Sequence, residues 1–382
     1  MDLIYFDQAA TSFPKPPQMV EAVRRALTEI SGSGGRSAHR MSLNAARLVF
    51  EAREAVAELL RVNDASQIAF TCNVTQALNM ALTGFLRPGD HVLTSSMEHN
   101  SVMRPLNWLA RAREVEVEVI PSPLTGLIDP AEFKKRLTAR TRLVVIAHAS
   151  NVTGAICPLK ELKAALGTVP LLVDAAQTAG VLPLNMSDRE ADILAFTGHK
   201  SLLGPTGTGG LWITPEIEIK PLVRGGTGSR SEFEEHPDFM PDRLEAGTQN
   251  THGLAGLGAG VKFVMETGVD NIRTHELKLT ARFLSGLAQI RGATVYGPPD
   301  PDSRVAVVSM NLTAWSPSDL THALDREFGV LTRAGLHCAP RAHRTIKTYP
   351  QGTVRFSFGL FNTEAEVDTS LAALDDLSRQ AK

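Results

Sequence analysis

Short apolar runs alternate with segments of helical periodicity along the first two thirds of the chain. Residues 44–60 place apolar side chains three and four positions apart, which predicts one apolar stripe on an amphipathic helix. Similar spacing predicts helices at 74–84, 100–113, 130–137 and 158–166. The apolar, β-branched runs predict strands at 67–72, 91–95, 115–120, 143–148, 170–174, 193–197 and 210–213.

This order of elements predicts an α/β fold. Nearly continuous apolar strands separated by helices favour a parallel sheet that is buried on both faces. The pattern changes after about residue 265, where a long helix (271–290) is followed by shorter strands and helices. Those later elements are predicted at 305–311, 317–328, 329–332, 354–358 and 364–378. We therefore expect a second, smaller α/β domain that begins near residue 265.

Composition narrows the function class. Apolar residues make up 43% of the 382 positions and charged residues 21%, which is usual for globular proteins. The net charge of 39 − 41 = −2 argues against non-specific nucleic-acid binding, and no apolar run approaches the roughly 18 residues of a membrane helix. Three widely spaced cysteines and an acidic start predict a cytoplasmic protein with neither a disulfide framework nor a metal site.

Polar residues follow four of the predicted strands, where parallel sheets bind their ligands. They include Thr75, His99, Asp174 and Lys200. Each has an ordinary structural interpretation as well: a helix cap for the turn around Thr75, a structural hydrogen bond for His99, and a surface or solvated turn for Asp174 and Lys200. Each signal is weak when it is taken alone.

Together, the four residues meet the needs of pyridoxal phosphate. Its aldehyde requires a lysine amine, which Lys200 could supply, and its pyridine nitrogen requires a carboxylate such as Asp174. Its phosphate suits helix N–H groups and hydroxyls, as at Thr75, and its ring face suits a flat partner such as His99. The sequence therefore predicts a pyridoxal-phosphate site.

The chain also resembles the class V aminotransferase-like family, and within it the cysteine desulfurases. The motifs that carry the resemblance run in family order over essentially the whole chain. They are DQAAT (7–11), MEHN (97–100), NVTG (151–154), VDAAQ (173–177), TGHK (197–200), EAGTQNT (245–251) and RAGLHCAP (333–340).

The resemblance implies a role for each matching residue. Lys200 would hold the cofactor covalently and act as a base, and His99 would stack on the ring and carry protons. The remaining cofactor contacts would be Thr75, Asp174, Gln177, Thr197, His199 and, from the second subunit of a homodimer, Thr248. The substrate contacts would be Asn151 and Arg355 at the carboxylate, with Arg333 and His39 nearby.

The resemblance also implies a fold and a division of the chain. The fold would be that of aspartate aminotransferase, with a mostly parallel seven-stranded sheet in the large domain and a smaller C-terminal α/β domain. Residues 1–14 would pack with the small domain, residues 15–264 would form the large domain, and residues 265–382 would form the small one. The substrate would be L-cysteine or L-selenocysteine, and the sulfur acceptor a protein or a small thiol.

Cys338 decides between the possible reactions. On this loop the family carries a nucleophilic thiolate, whereas Cys72 and Cys157 match no motif and are interpreted as structural. The expected reaction converts L-cysteine to L-alanine and leaves a persulfide on Cys338. The alternatives are a selenocysteine lyase, a related aminotransferase or C–S lyase in which Cys338 is not catalytic, and a non-catalytic scaffold. Val74 and Leu336 depart from the common family pattern.

Overall fold

A computed structural model describes residues 3–30, 32–34 and 39–380 of the chain. The helices are α1 (Pro17–Thr28), α2 (Arg40–Leu59), α3 (Val74–Phe85), α4 (Asn100–Arg113), α5 (Pro130–Lys135), α6 (Leu159–Leu166), α7 (Thr251–Thr267), α8 (Val269–Leu287), α9 (Pro317–Phe328), α10 (Pro340–Thr345) and α11 (Glu364–Gln380). The strands are β1 (Ile4–Tyr5), β2 (Ile68–Thr71), β3 (His91–Ser95), β4 (Glu116–Ile120), β5 (Thr141–Ala147), β6 (Leu171–Asp174), β7 (Ile193–Thr197), β8 (Gly209–Ile213), β9 (Ala293–Tyr296), β10 (Val307–Leu312), β11 (Val330–Leu331), β12 (Arg333–Gly335) and β13 (Thr353–Ser357).

The larger sheet has seven strands in the order β2-β8-β7-β6-β5-β3-β4. Its strands are parallel from β7 to β4, whereas β8 runs antiparallel to both of its neighbours. The strands β6, β7 and β8 are buried along their whole length, as expected for a sheet that helices cover on both faces. The prediction of a mostly parallel seven-stranded sheet is confirmed.

The carboxyl ends of the parallel strands define one edge of this sheet. Asp174 is the last residue of β6, and Thr197 is the last residue of β7. The helices α3 and α4 begin at the same edge, because each follows a strand through a short turn. Polar side chains from different parts of the sequence therefore meet at this edge.

A second sheet, in the order β12-β13-β10-β9, is antiparallel and lies in the C-terminal part of the chain. Its apolar core includes Phe283 of α8 and Phe356 of β13, whose ring centroids are 4.7 Å apart. Phe6 joins the same core, and the preceding strand β1 pairs in parallel with β11. The N-terminal segment is thus tied to C-terminal elements, while the predicted domain boundaries stay a prediction.

Helix α7, which the sequence pattern did not predict, packs against both α1 and α2. Glycines permit this close approach. A Cβ atom at position 258 would lie 3.1 Å from Cα of Ala52 in α2, and one at position 256 would lie 2.6 Å from Cγ2 of Val23 in α1. Glycine lowers helix propensity, so the residues that let α7 pack also hide it from a periodicity analysis.

Among the described residues, no helix is long and apolar enough to cross a membrane.

Candidate active site

A cavity of about 800 Å³ lies at the carboxyl edge of the large sheet. It brings together most of the predicted site residues, although they come from separate parts of the sequence. The predicted residues in its wall are Thr75, His99, Asn151, Asp174, Gln177, Thr197, His199, Lys200, Arg333 and Arg355. Three predicted residues are not part of this wall. Cys338 lines a groove beside the cavity, and His39 and Thr248 are exposed and line neither the cavity nor the groove.

Asp174 and Lys200 perturb each other's ionisation inside this cavity. Burial lowers the pKa of Lys200 to about 8, although the nearby Asp174 carboxylate acts to raise that pKa. Burial also raises the pKa of the Asp174 carboxyl, although the backbone N–H of Ala176 donates to it at 3.0 Å and favours its charged form. An amine with a lowered pKa can be neutral near physiological pH, and a neutral amine is a nucleophile and a base.

His99 is both a helix cap and a residue of the cavity wall, while its contact with the cofactor ring stays a prediction. It caps α4, because its Nδ1 accepts a hydrogen bond from the backbone N–H of Ser101 at 3.1 Å, and it also lines the cavity. Burial, with a further contribution from Lys200, lowers the pKa of His99 to about 4, so its imidazole is neutral at pH 7. Since Nδ1 is an acceptor, the proton of this neutral ring is on Nε2.

Ser101 was missed by the sequence analysis. Its hydroxyl lies 2.9 Å from Nδ1 of His99 and 2.7 Å from the hydroxyl of Thr75, so it joins the start of α4 to the start of α3. The available signal was its place two residues after His99, on the first turn of a helix that begins at the site.

Arg355, in the buried centre of β13, is held by two acceptors. Its Nη2 donates to Oδ1 of Asp7 at 2.7 Å, and its Nη1 donates to the backbone carbonyl of Asn151 at 3.1 Å. Burial lowers the pKa of Arg355, and Asp7 opposes that effect. Asp7 is the first residue of the DQAAT motif, and the sequence predicts no role for it; in the structure it contacts Arg355, the predicted substrate-binding arginine.

The side chain of Asn151 contacts the turn that carries Cys338. Its Nδ2 donates to the carbonyl of His337 at 2.7 Å, and the backbone N–H of Asn100 donates to the carbonyl of Cys338 at 2.8 Å. His337 and Cys338 have φ values of 48° and 58°, which are uncommon for residues with a Cβ atom. These contacts hold a strained turn at the border of the cavity, and such turns are often found at functional sites.

Cys338 itself is exposed in a groove that adjoins the cavity and shares Thr75, His99 and Ser101 with it. Its sulfur accepts a hydrogen bond from Nη2 of Arg333 at 3.7 Å. Cys157 is buried, as a structural residue would be, whereas Cys72 is exposed at the end of β2. Of the two exposed cysteines, Cys338 is the one that lines the adjoining groove.

Several polar atoms in the cavity wall are buried without a partner among the described residues. They are Thr197 Oγ1, His199 Nδ1, His337 Nδ1 and Arg355 Nε. Leaving a buried polar atom unpaired costs about 1–3 kcal/mol, so a cluster of them indicates a polar ligand. Burial lowers the pKa of His199 to about 4 and that of His337 to about 2, so both rings are neutral.

Comparison with known proteins places this geometry in a family. The model of the family described as aminotransferase class-V matches residues 4–369. The chain belongs to the class-V aminotransferase family. Members of this family use pyridoxal phosphate, and the residues of the cavity fit this cofactor. The amine of Lys200 suits the aldehyde, the carboxylate of Asp174 suits the pyridine nitrogen, and the hydroxyl of Thr197, unpaired among the described residues, suits the phosphate.

Within the class-V aminotransferase family, the chain is similar to cysteine desulfurases. It is 35% identical to a probable cysteine desulfurase of Pyrococcus abyssi, over 100% of this chain and 96% of that protein. It is 31% identical to a cysteine desulfurase of Pectobacterium atrosepticum, over 99% and 93% of the two chains.

Solved structures show the same similarity. The apo cysteine desulfurase of Thermococcus onnurineus superposes with a TM-score of 0.92 at 33% identity, covering 99% of this chain and 95% of the other. A cysteine desulfurase (S-sulfonic acid) of Escherichia coli gives 0.89 at 27% identity, covering 100% and 96%.

Proposed function

We propose that this chain is a pyridoxal-phosphate-dependent cysteine desulfurase that moves the sulfur of L-cysteine onto Cys338. The observation that carries the proposal is the position of Cys338 in the groove that adjoins the cavity, with its sulfur 3.7 Å from the Arg333 guanidinium. The thiolate is the nucleophilic form of cysteine, and the exposed position of Cys338 leaves it open to a substrate.

Arg355 and Lys200 would act on the amino-acid part of the substrate. Arg355 binds the carboxylate through N–H groups that Asp7 and Asn151 leave free. Lys200, with its pKa lowered to about 8, removes the α-proton as a neutral amine. When it is bound, the cofactor would supply an electron sink for the charge that this proton leaves behind, with Asp174 beside its pyridine nitrogen.

Cys338 would then attack the substrate sulfur. A bond forms between the two sulfur atoms, the bond between substrate sulfur and β-carbon breaks, and its electron pair stays with the carbon. The β-carbon gains a proton, which we propose that His99 carries after accepting one thiol proton, so that the ring returns to its neutral form. Lys200 gives a proton back to the α-carbon. The balance is one cysteine and one Cys338 thiol converted to one alanine and one Cys338 persulfide, with no external oxidant or reductant.

The remaining partners belong to the same proposal. An exposed persulfide in an open groove could pass its sulfur to an acceptor protein or to a small thiol. We also propose a homodimer, in which Thr248 reaches the partner's cofactor, and an action in the reducing cytoplasm, because Cys72 and Cys338 are exposed thiols. His39, which caps α2 by accepting from the backbone N–H of Ser42 at 3.3 Å, stays a predicted substrate contact in that assembly.

The experiment compares Cys338→Ser with Cys72→Ser, a matched change at the other exposed cysteine. After one turnover without reductant, mass spectrometry should find one added sulfur on the Cys338 peptide of the wild type and of Cys72→Ser. Cys338→Ser should keep the visible absorbance band of the bound cofactor, because the Cys338 thiol is not needed for Lys200 to hold the cofactor. The same variant should lose nearly all sulfide release from L-cysteine.

Three results would contradict the proposal. Sulfur found on Cys72 or Cys157, or full activity in Cys338→Ser, would exclude Cys338 as the nucleophile. Pyruvate as the product in place of alanine would favour a C–S lyase. A parallel assay with L-selenocysteine decides the substrate, because a selenocysteine lyase would prefer it and would keep activity in Cys338→Ser.

A further inference from the structure

The backbone carbonyl of His199, directly before Lys200, is the focus of an unusual set of donors. It accepts from the backbone N–H of Ser12 at 3.0 Å, from the hydroxyl of Thr11 at 3.1 Å and from the ammonium of Lys15 at 2.8 Å. A carbonyl oxygen has two lone pairs, so three donors more than satisfy it. We call Thr11, Ser12 and Lys15 the N-terminal clamp.

The clamp also holds the carbonyl on the other side of Lys200. The Ser12 hydroxyl lies 2.9 Å from the Lys200 oxygen and accepts from Lys15 at 2.6 Å. The same hydroxyl lies 3.1 Å from the His199 oxygen, so its single proton is shared between the carbonyls of His199 and Lys200, of which the Lys200 oxygen is the nearer. Both peptide planes that flank the Lys200 Cα are therefore anchored, and two anchored planes fix the φ and ψ angles of the residue between them.

Lys15 is an unexpected residue for such a position. It is half-buried, burial lowers its pKa to about 8, and no carboxylate of the described residues lies within ion-pair distance of it. Burying an ammonium group that contacts only neutral oxygen atoms costs folding free energy, so this lysine is not explained as a stabilising contact. Its hydrogen bonds are charge-assisted, however, and such bonds orient their acceptors more strongly than neutral ones do.

The segment that contains the clamp also contacts the predicted substrate arginine. Asp7 pairs with Arg355 at 2.7 Å, and the backbone N–H of Ala9 donates to the hydroxyl of Ser357 at 2.9 Å. Residues 7–15 thus connect β13, which carries Arg355, to the loop after β7, which carries Lys200. This one short segment therefore contacts both the arginine that would bind the substrate carboxylate and the loop of the lysine that would remove the α-proton.

We propose that Lys15 is a positioning residue for Lys200, acting through the His199 carbonyl with Thr11 and Ser12. The proposal rests on the proposed function, in which Lys200 holds the cofactor and moves the α-proton. A base that is misplaced by a fraction of an ångström loses rate without losing substrate affinity, because proton transfer depends steeply on geometry.

The test compares Lys15→Met, Lys15→Arg and Thr11→Val with Lys134→Met, which makes the same change at an exposed lysine on α5. Three quantities are measured: kcat and KM with L-cysteine, the pH midpoint of the visible cofactor band, and the rate at which apo-protein captures pyridoxal phosphate. Lys15→Met should lower kcat and the capture rate about tenfold or more, with KM within about twofold.

The pH midpoint should move by about half a pH unit or more in Lys15→Met, because the environment of the Lys200 nitrogen changes. Lys15→Arg should stay within about threefold of the wild type in both rates, since it restores a charged donor, and Lys134→Met should match the wild type. Thr11→Val should shift the pH midpoint in the same direction by a smaller amount. If Lys15→Met fails to fold, the midpoint and capture rate of Thr11→Val test the proposal in its place.

An unshifted midpoint and an unchanged kcat in Lys15→Met would overturn the proposal, as would equal losses in Lys15→Met and Lys15→Arg. If Lys15→Met does not fold, a wild-type midpoint and capture rate in Thr11→Val would overturn it. A wild type that shows no visible band with pyridoxal phosphate would instead refute the proposed function, so the two failures are distinguishable.

Discussion

Replacing Arg355 with lysine keeps the charge and removes the fork of donors. The guanidinium has five N–H groups, of which Asp7 and Asn151 each take one and the unpaired Nε holds another. Enough donors remain for two parallel hydrogen bonds to a carboxylate. A lysine ammonium has three N–H groups, and after serving Asp7 and Asn151 it has one left.

Arg355→Lys therefore removes one charge-assisted hydrogen bond to the substrate. Such a bond contributes about 1.5–3 kcal/mol, which at 1.36 kcal/mol per factor of ten is about a 10-fold to 160-fold loss in kcat/KM. Most of the loss should fall on KM, because the carboxylate is remote from the sulfur that reacts. The assay is steady-state sulfide release from L-cysteine.

A pair of unreactive ligands provides the control for Arg355→Lys. L-alanine has the carboxylate and ethylamine does not, and the binding of both can be followed by the change in the visible band. The variant should bind alanine more weakly than the wild type by about the same factor as kcat/KM, again from one lost bond. Ethylamine should bind both proteins equally. A kcat/KM for cysteine within about threefold of the wild type would refute a two-bond role for Arg355.

Two further predictions concern ionisation. Cofactor capture by apo-protein should accelerate about tenfold per pH unit below pH 8 and level off above it, because the Lys200 amine must be neutral and its pKa is about 8; a rate independent of pH between 6 and 9 would contradict this. Glu276 of α8 is buried and its pKa is raised to about 8, above the unfolded value, so its ionisation should reduce stability as pH rises from about 5 through 8. Glu276→Gln should therefore raise Tm over the wild type at pH 8.5 more than at pH 5, and a Tm difference independent of pH would refute this.

Local pattern was enough to predict the elements that carry the site. The observed bounds of β3, β7, α4 and α9 agree with the predicted ones to the residue, and most other predicted elements differ by one to four residues. These elements bury continuous apolar runs or clear stripes, which leave a direct trace in the sequence. The number of strands in the sheet followed from the family resemblance, whereas their order was not predicted and is contained in no local pattern.

The missed elements depend on partners distant in the chain. The strand β1 is two residues long and exists because Ile4 and Tyr5 pair with Val330 and Leu331. The glycines of α7 are explained only by the helices packed against them. Local sequence contains neither partner, so no periodicity could reveal these elements.

The same distinction applies to the site. Lys200, Asp174 and His99 could be predicted because each lies at or just beyond the end of a strand and matches a chemical need of the cofactor. The Asp7–Arg355 pair could not, because its members are 348 positions apart. Nor could the role of Lys15, which acts on a backbone oxygen that any residue would present.

The pairing of β1 with β11 also sets the order in which the molecule can be completed. The strand β1 must remain without its partner until β11, more than 300 residues later, has been synthesised. Contacts of such long range are late events in folding, because a large loop must close before they are made. The contact of Asp7 with Arg355 lies on that same segment, so the loop that carries Lys200 and the arginine on β13 are joined through it only after β13 has been synthesised. A nascent chain that ends before β13 therefore lacks an assembled site.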